Sequence, residues 1–144
     1  MRNRSITLTL MGDPIAKARA RLRTGFKRRF YDCQHLEKLK LQMILQAQFG
    51  STEPFEGPVD LNVTFYMPIK KSHFVPENSI HYYRPDADNL LKWVMDLANG
   101  ICYRDDCICA TITAQKLYSI KPRTVITIKE LEYVKKEKRP KQLV

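Results

Sequence analysis

The sequence predicts an α/β (α+β) single domain of two layers: a mixed sheet of four or more strands with two helices packed on one face. Three observations predict it. Apolar residues alternate in some segments and recur at helical spacing in others. The elements follow the order strand, helix, strand, helix, strand, strand, which suits helices laid across a sheet. A length of 144 residues, 44% of them hydrophobic, is that of one domain able to bury a core without staples.

The first strand is Ile6 to Met11, where Ile6, Leu8 and Leu10 alternate with Thr7 and Thr9. Gly12-Asp13-Pro14 ends it. From about Cys33 to Phe49, Leu36, Leu39, Met43, Ile44 and Ala47 recur as on an amphipathic helix, with Asp32 as N-cap and Gly50 as C-terminal stop. Pro54 to Pro58 is a turn. Val59 to Met67 is the strongest strand, with Val59, Leu61, Val63 and Phe65 on one face. Pro68 to Tyr83 reads as a long loop, a length associated with function or mobility. A second helix runs from Asp86 to about Asn99, stopped by Gly100, with Leu90, Val94, Leu97 and Ile101 as its buried face. Tyr103 to Asp106 turns the chain. Ile108 to Leu117 is a strand with Ile108, Ala110, Ile112 and Ala114 inward, and Thr124 to Ile128 is the last strand.

Charge narrows the partners. Twenty-five Lys and Arg against fifteen Asp and Glu leave +10, a surplus that favours polyanions, nucleic acid first. No 18-residue apolar run exists, so no membrane span is expected. The basic N-terminus is followed by too short an apolar stretch for a secretory leader, and the cytoplasm is the expected compartment. Cys33, Cys102, Cys107 and Cys109 lack the paired spacing of a zinc site. They read as reduced thiols, with Cys107 and Cys109 on one face of a strand.

Cations at Lys17, Arg19, Arg21 and Arg23 recur at every second residue, so an extended backbone sets all of them on one face. With Lys27, Arg28 and Arg29 they make seven cations in thirteen residues. This is either a solvated basic loop or an arm that tracks phosphates. Phe26, Phe30 and Tyr31 either stack on unpaired bases or anchor the arm. Lys70 and Lys71 are further candidates for phosphate contact. His73 and His81 lack the spacing of a metal pair and read as loop or DNA-contact residues.

The acidic counterpart is Arg84-Pro85-Asp86-Ala87-Asp88-Asn89-Leu90-Leu91-Lys92, followed by Asp105-Asp106. Asp86 and Asp88 straddle a helix start, and Asp88, Lys92 and Asp96 fall one turn apart on one stripe. Two readings stand side by side. The aspartates cap a helix and form a turn, with Lys92 in a salt bridge to Asp88 or Asp96. Alternatively they hold a cation. An all-oxygen ligand set selects Mg²⁺, or Mn²⁺, over zinc, and Lys92 then positions water or stabilises charge on phosphate oxygens.

This acidic stretch, with Gly12-Asp13-Pro14, Lys17, Arg19 and Met67-Pro68, resembles the RusA family of Holliday-junction resolvases over about Leu8 to Ile128. The resemblance implies a homodimeric, Mg²⁺-dependent endonuclease that cuts four-way DNA junctions by symmetric paired nicks. It implies that Asp86, Asp88 and Asp106 are catalytic aspartates and metal ligands, with Asp105 the alternative third, and that Lys92 is the catalytic lysine. It further implies a nuclease domain over residues 1–131, while the charged run Lys135-Lys136-Glu137-Lys138-Arg139-Pro140-Lys141 reads as part of a basic, disordered tail over 132–144. Branched DNA and a second copy of the chain are the implied partners, and no membrane is. Two departures touch DNA contacts. Cys107-Ile108 stands where the family usually carries Gln, Glu or Ser, and Arg19-Ala20-Arg21 lacks the proline that commonly follows the first arginine. A broader Mg²⁺-dependent flap or branch nuclease and a non-catalytic DNA-binding module are the competing readings.

Overall fold

The computed structural model describes residues 3–18, 21–22, 30–31 and 34–140. Along the chain it contains β1 (Ser5–Met11), β2 (Arg21–Leu22), β3 (Phe30–Tyr31), α1 (His35–Phe49), β4 (Val59–Pro68), α2 (Ala87–Ala98), a 3₁₀ turn (Asp106–Ile108), β5 (Cys109–Ser119) and β6 (Arg123–Glu130). The main sheet has the order β1-β6-β4-β5, and β2 pairs with β3 separately. β6 is antiparallel to both β1 and β4, while β4 and β5 are parallel. A parallel pair needs a crossover, and α2 supplies it. The predicted two-layer domain with a mixed four-stranded sheet and two helices is what forms.

Alternation makes the two faces of the sheet chemically different. One cross-strand row reads Leu8, Ile126, Val63, Ala114. The next reads Thr9, Val125, Thr64, Gln115. The first row belongs to the core, where Leu8, Leu61, Val63, Phe65, Ile126 and Ile128 pack with Leu41, Leu45, Leu90, Trp93, Val94 and Leu97 of the helices. α1 rests against β1 and α2, and α2 against β5. At about 25 cal/mol per Å² of apolar surface, this burial is the main force holding the layers together.

Three details depart from the sequence reading. α1 forms where predicted, yet its buried row is Leu41, Leu45 and Phe49, while Leu36 is 80% and Met43 74% exposed. Leu39 and Ile44 are exposed as well. Both rows have helical spacing, so periodicity could not choose between them; contact with β1 and α2 does. Asp32, the expected cap, lies outside the described residues. Gln34 precedes the helix without a side-chain cap bond; its amide instead donates to Ala16 O and accepts from Ala18 N. Gly50, at φ 68, closes the helix in the left-handed region as expected.

The second departure concerns β5. Ala110 and Ile112 are exposed rather than inward. The register jumps between Val59 and Asp60, which pair with Cys109 and Thr111, so Ala110 drops out of the ladder. Ile112 shares a side with Leu61 but lies on the outermost strand. Cys107 sits in the 3₁₀ turn, not in a strand beside Cys109.

The third is the segment Pro68 to Tyr83. Its second half is tied down along the outer edge of β5. Asn78 N–H donates to Tyr118 O, Tyr118 N–H to Ser79 O, and His81 N–H to Lys116 O, at 2.9, 2.8 and 3.0 Å. The Glu77 carboxylate accepts from Ser119 Oγ at 2.6 Å and Ile120 N–H at 2.9 Å. The segment therefore covers an otherwise open edge. Beyond β6, Leu131 N–H donates to Pro58 O, the Tyr133 ring packs over Gly57, and residues 131–140 form no helix or strand. No helix among the described residues is long and apolar enough to cross a membrane.

Candidate functional site

The acidic stretch enters α2 from the loop, and a lysine from the sheet holds its entry. Lys116 pairs in register with Phe65, so it stands on the helix side of β5. Its ammonium donates to Tyr83 O at 2.5 Å and to Pro85 O at 2.9 Å. The backbone just before Asp86 is thereby fixed to the sheet. An open hollow of about 360 Å³ lies here, lined by Arg84, Pro85, Asp86 and Asn89.

Asp86 occupies the N-cap position with extended backbone, yet its side chain makes no cap bond. Among the described residues only its carbonyl is used, accepting from Leu90 N–H at 3.2 Å. Asp88 Oδ1 accepts from the neighbouring Asn89 N–H at 2.9 Å. Both carboxylates are exposed. The capping role that would explain Asp86 structurally is thus unfilled.

Asp88, Lys92 and Asp96 share one stripe of α2, as the spacing requires. Asp96 pairs with Lys17, whose backbone N–H also donates to Asn89 O at 3.1 Å. Lys17, a candidate for phosphate contact, clips the N-terminal segment to α2 in this way. Lys92 is exposed and makes no ion pair among the described residues. At the far end of the stripe, Asp105 Oδ1 accepts from Cys107 N–H at 3.2 Å. The Asp106 carboxyl is held above its ordinary pKa, first by a hydrogen bond with Asp105, then by burial and by the negative charges of Asp105 and Asp96. Carboxylates therefore crowd at this end.

The negative charge of Asp96 bears on Asp106. Eight residues of helix separate Asp88 from Asp96, about 12 Å along the axis. Among the described residues, no three Asp, Glu, His or Cys side chains converge enough to hold a metal ion. The donor chemistry still fits a hard cation, since every candidate ligand is a carboxylate and their mutual repulsion favours an added positive charge.

The cationic candidates divide. Lys70 and Lys71 are exposed beyond β4. Arg21 lies in β2, its backbone opposite Tyr31. Arg19, Arg23, Lys27 and Arg28 lie outside the described residues. Sequence reasoning missed Lys116, although a lysine at the next inward position after Ile112 and Ala114 was a signal. It also missed a run of rings beside the site. Tyr118 packs on His81 with centroids 4.7 Å apart, His81 meets Tyr83 edge-on at 6.3 Å, and Tyr83 stacks on Tyr82 at 4.7 Å.

A two-layer α/β domain with an acidic stripe on its crossover helix, inside a strongly basic chain, has the character of a phosphodiester-handling protein. The comparisons agree with that class. The family model described as endodeoxyribonuclease RusA matches residues 11–129. The chain is also 30% identical over 138 residues to the uncharacterized protein YqaN of Bacillus subtilis (strain 168), covering 88% of this chain and 96% of that one. The chain belongs to the RusA family of endodeoxyribonucleases.

Proposed function

We propose that this protein resolves four-way (Holliday) DNA junctions by paired, symmetric nicks, as a Mg²⁺-dependent homodimer acting in recombination and repair in the cytoplasm. The observation that carries the reading is the pair Asp86 and Asp88: two exposed carboxylates at a helix start, the first without the capping bond that would account for it. Family membership gives the reaction class, hydrolysis of DNA phosphodiesters. In this reading Asp86, Asp88 and Asp106 hold the cation, with Asp105 the alternative to Asp106. Bound there, Mg²⁺ (or Mn²⁺) supplies charge neutralisation, an acidified water and polarisation of the phosphate. Lys92, unpaired among the described residues, faces charge developing on phosphate oxygens. Arg84, Lys70 and Lys71 meet the backbone nearby, with Arg19, Arg21, Arg23, Lys27 and Arg28 as the arm. A junction is approximately two-fold symmetric, so two sites related by a two-fold axis match two nicks on opposing strands. The exposed Leu36, Leu39 and Met43 of α1 supply apolar surface for self-association.

One observation favours a second reading, a non-catalytic DNA-binding module: the acidic side chains do not converge on one point among the described residues. A broader flap or branch nuclease is the rival within enzymes. The test is incubation of end-labelled four-way junction, flap, fork and duplex with the protein, with and without Mg²⁺, mapping every nick. Paired nicks at symmetric positions on the junction alone support resolution. Faster cutting of flaps replaces it with the broader nuclease. Binding without nicks under any divalent cation leaves the binding module.

A further inference from the structure

Tyr82 and Tyr83 are two consecutive aromatics left in solvent, 75% and 62% exposed. Their rings are stacked, with centroids 4.7 Å apart and planes inclined by 26°. Large rings on a surface gain nothing for folding, so their order needs another source. It comes from behind. Tyr83 is backed by His81, which is buried, packs on Tyr118 of β5, and is tied through its N–H to Lys116 O.

We propose that the Tyr82–Tyr83 pair is a stacking platform for one unpaired nucleobase at the branch point of the DNA held at the acidic site; this rests on the nuclease reading above. Three features single out a nucleobase. The rings are preorganised, so a flat partner stacks on them without ordering new side chains. Cations adjoin the pair, with Arg84 next in sequence and the Lys116 ammonium on Tyr83 O, in a chain of net charge +10. A flat ring joined to phosphate matches both. The platform is also coupled to the acidic stretch, because the Lys116 ammonium that binds Tyr83 O binds Pro85 O, one residue before Asp86. Paired duplex hides its base faces, whereas a branch point exposes them. The platform thus gives the site a means of preferring branched DNA over duplex that phosphate contacts alone do not supply.

The experiment measures fluorescence anisotropy of three labelled probes in EDTA: oligothymidine, an abasic strand of equal length, and a fully paired duplex. Native protein is compared with Tyr82→Ala and Tyr82→Phe, both at an exposed position. We expect Tyr82→Ala to weaken oligothymidine binding roughly tenfold, the scale of one base–aromatic stack. Abasic and duplex binding should be unchanged, and Tyr82→Phe should bind like the native chain. Equal weakening on all three probes, no weakening on any, or a Tyr82→Phe loss as large as that of alanine overturns the platform. The last two outcomes leave the patch to a protein partner or to the hydroxyl alone. Because binding is read without divalent cation, failure of junction cleavage leaves this result standing. A base preference that Tyr82→Ala does not alter overturns the platform and likewise leaves the nuclease reading standing.

Discussion

Lys116 Nζ lies 2.9 Å from the carbonyl oxygen of Pro85, thirty-one residues away in the chain. The same ammonium takes Tyr83 O. A cation from the sheet thus sets the position of Asp86 through the backbone before it. Lys116→Met should cut junction cleavage about 10²-fold, the cost of a displacement of order 1 Å in a positioned group. Junction binding in EDTA should stay near native. If binding falls in step with cleavage, Lys116 contacts DNA instead of positioning the loop.

Asp86→Asn and Asp88→Asn should each abolish cleavage while junction binding is kept or strengthened, because a negative charge near phosphate is removed. Band-shift titration in EDTA alongside nicking in Mg²⁺ separates the two effects. Native cleavage by Asp88→Asn would leave the carboxylate without a role in holding a cation.

The inward row of α1 can be checked by stability. Leu45 is fully buried and Met43 is 74% exposed. Leu45→Ala should cost about 2–5 kcal/mol in denaturant unfolding, and Met43→Ala should stay within about 0.5 kcal/mol. The opposite order would mean that the row read from Leu36, Leu39 and Met43 faces the core.

The Lys17–Asp96 pair is partly exposed, at 45% and 30%. A double-mutant cycle with Lys17→Ala and Asp96→Ala should return a coupling of about 0.2–1 kcal/mol, as for other solvated pairs. With Lys17 occupied in this way, Lys17→Ala should leave the salt dependence of DNA binding nearly unchanged. Replacing Arg21 and Arg23 with Ala should flatten it, each lost phosphate contact lowering the slope by about one.

His81 carries a pH dependence. Burial first, then the charge of Lys116, pushes its pKa below the ordinary 6.5, and its Nδ1 has no hydrogen-bond partner among the described residues. The unfolded chain therefore takes up a proton at higher pH than the folded one. The stability linked to His81 is complete above 6.5 and is lost as pH falls from there towards the depressed value. His81→Phe keeps a ring against Tyr118 and removes this linkage. Its melting temperature should fall less than that of the native chain between about pH 7 and about pH 5.5. Parallel curves would mean that His81 is neutral in neither state's favour.

Much of this architecture is local information and was legible in the residues. Alternation from Ile6 and from Val59 set the strands and their buried faces. The spacing of Leu90, Val94 and Leu97 set the inward face of α2, which in turn put Asp88, Lys92 and Asp96 on one outer stripe. The basic surplus and the acidic motif pointed to the reaction class. Other features depend on which distant segments meet, and no periodicity encodes that. α1 has two apolar rows, and only its contact with β1 and α2 selects Leu41, Leu45 and Phe49. β5 alternates as a strand should, but its place at the sheet margin and the register jump beside Val59 leave Ala110 and Ile112 in solvent. Lys17 could serve phosphate or Asp96 until the segment after β1 is laid along α2. The sequence determined which residue types stand on which face of each element, because side-chain direction follows from backbone repeat alone. The tertiary structure decided their partners, because Lys116 reaches Pro85, and Lys17 reaches Asp96, only once strands and helices are packed.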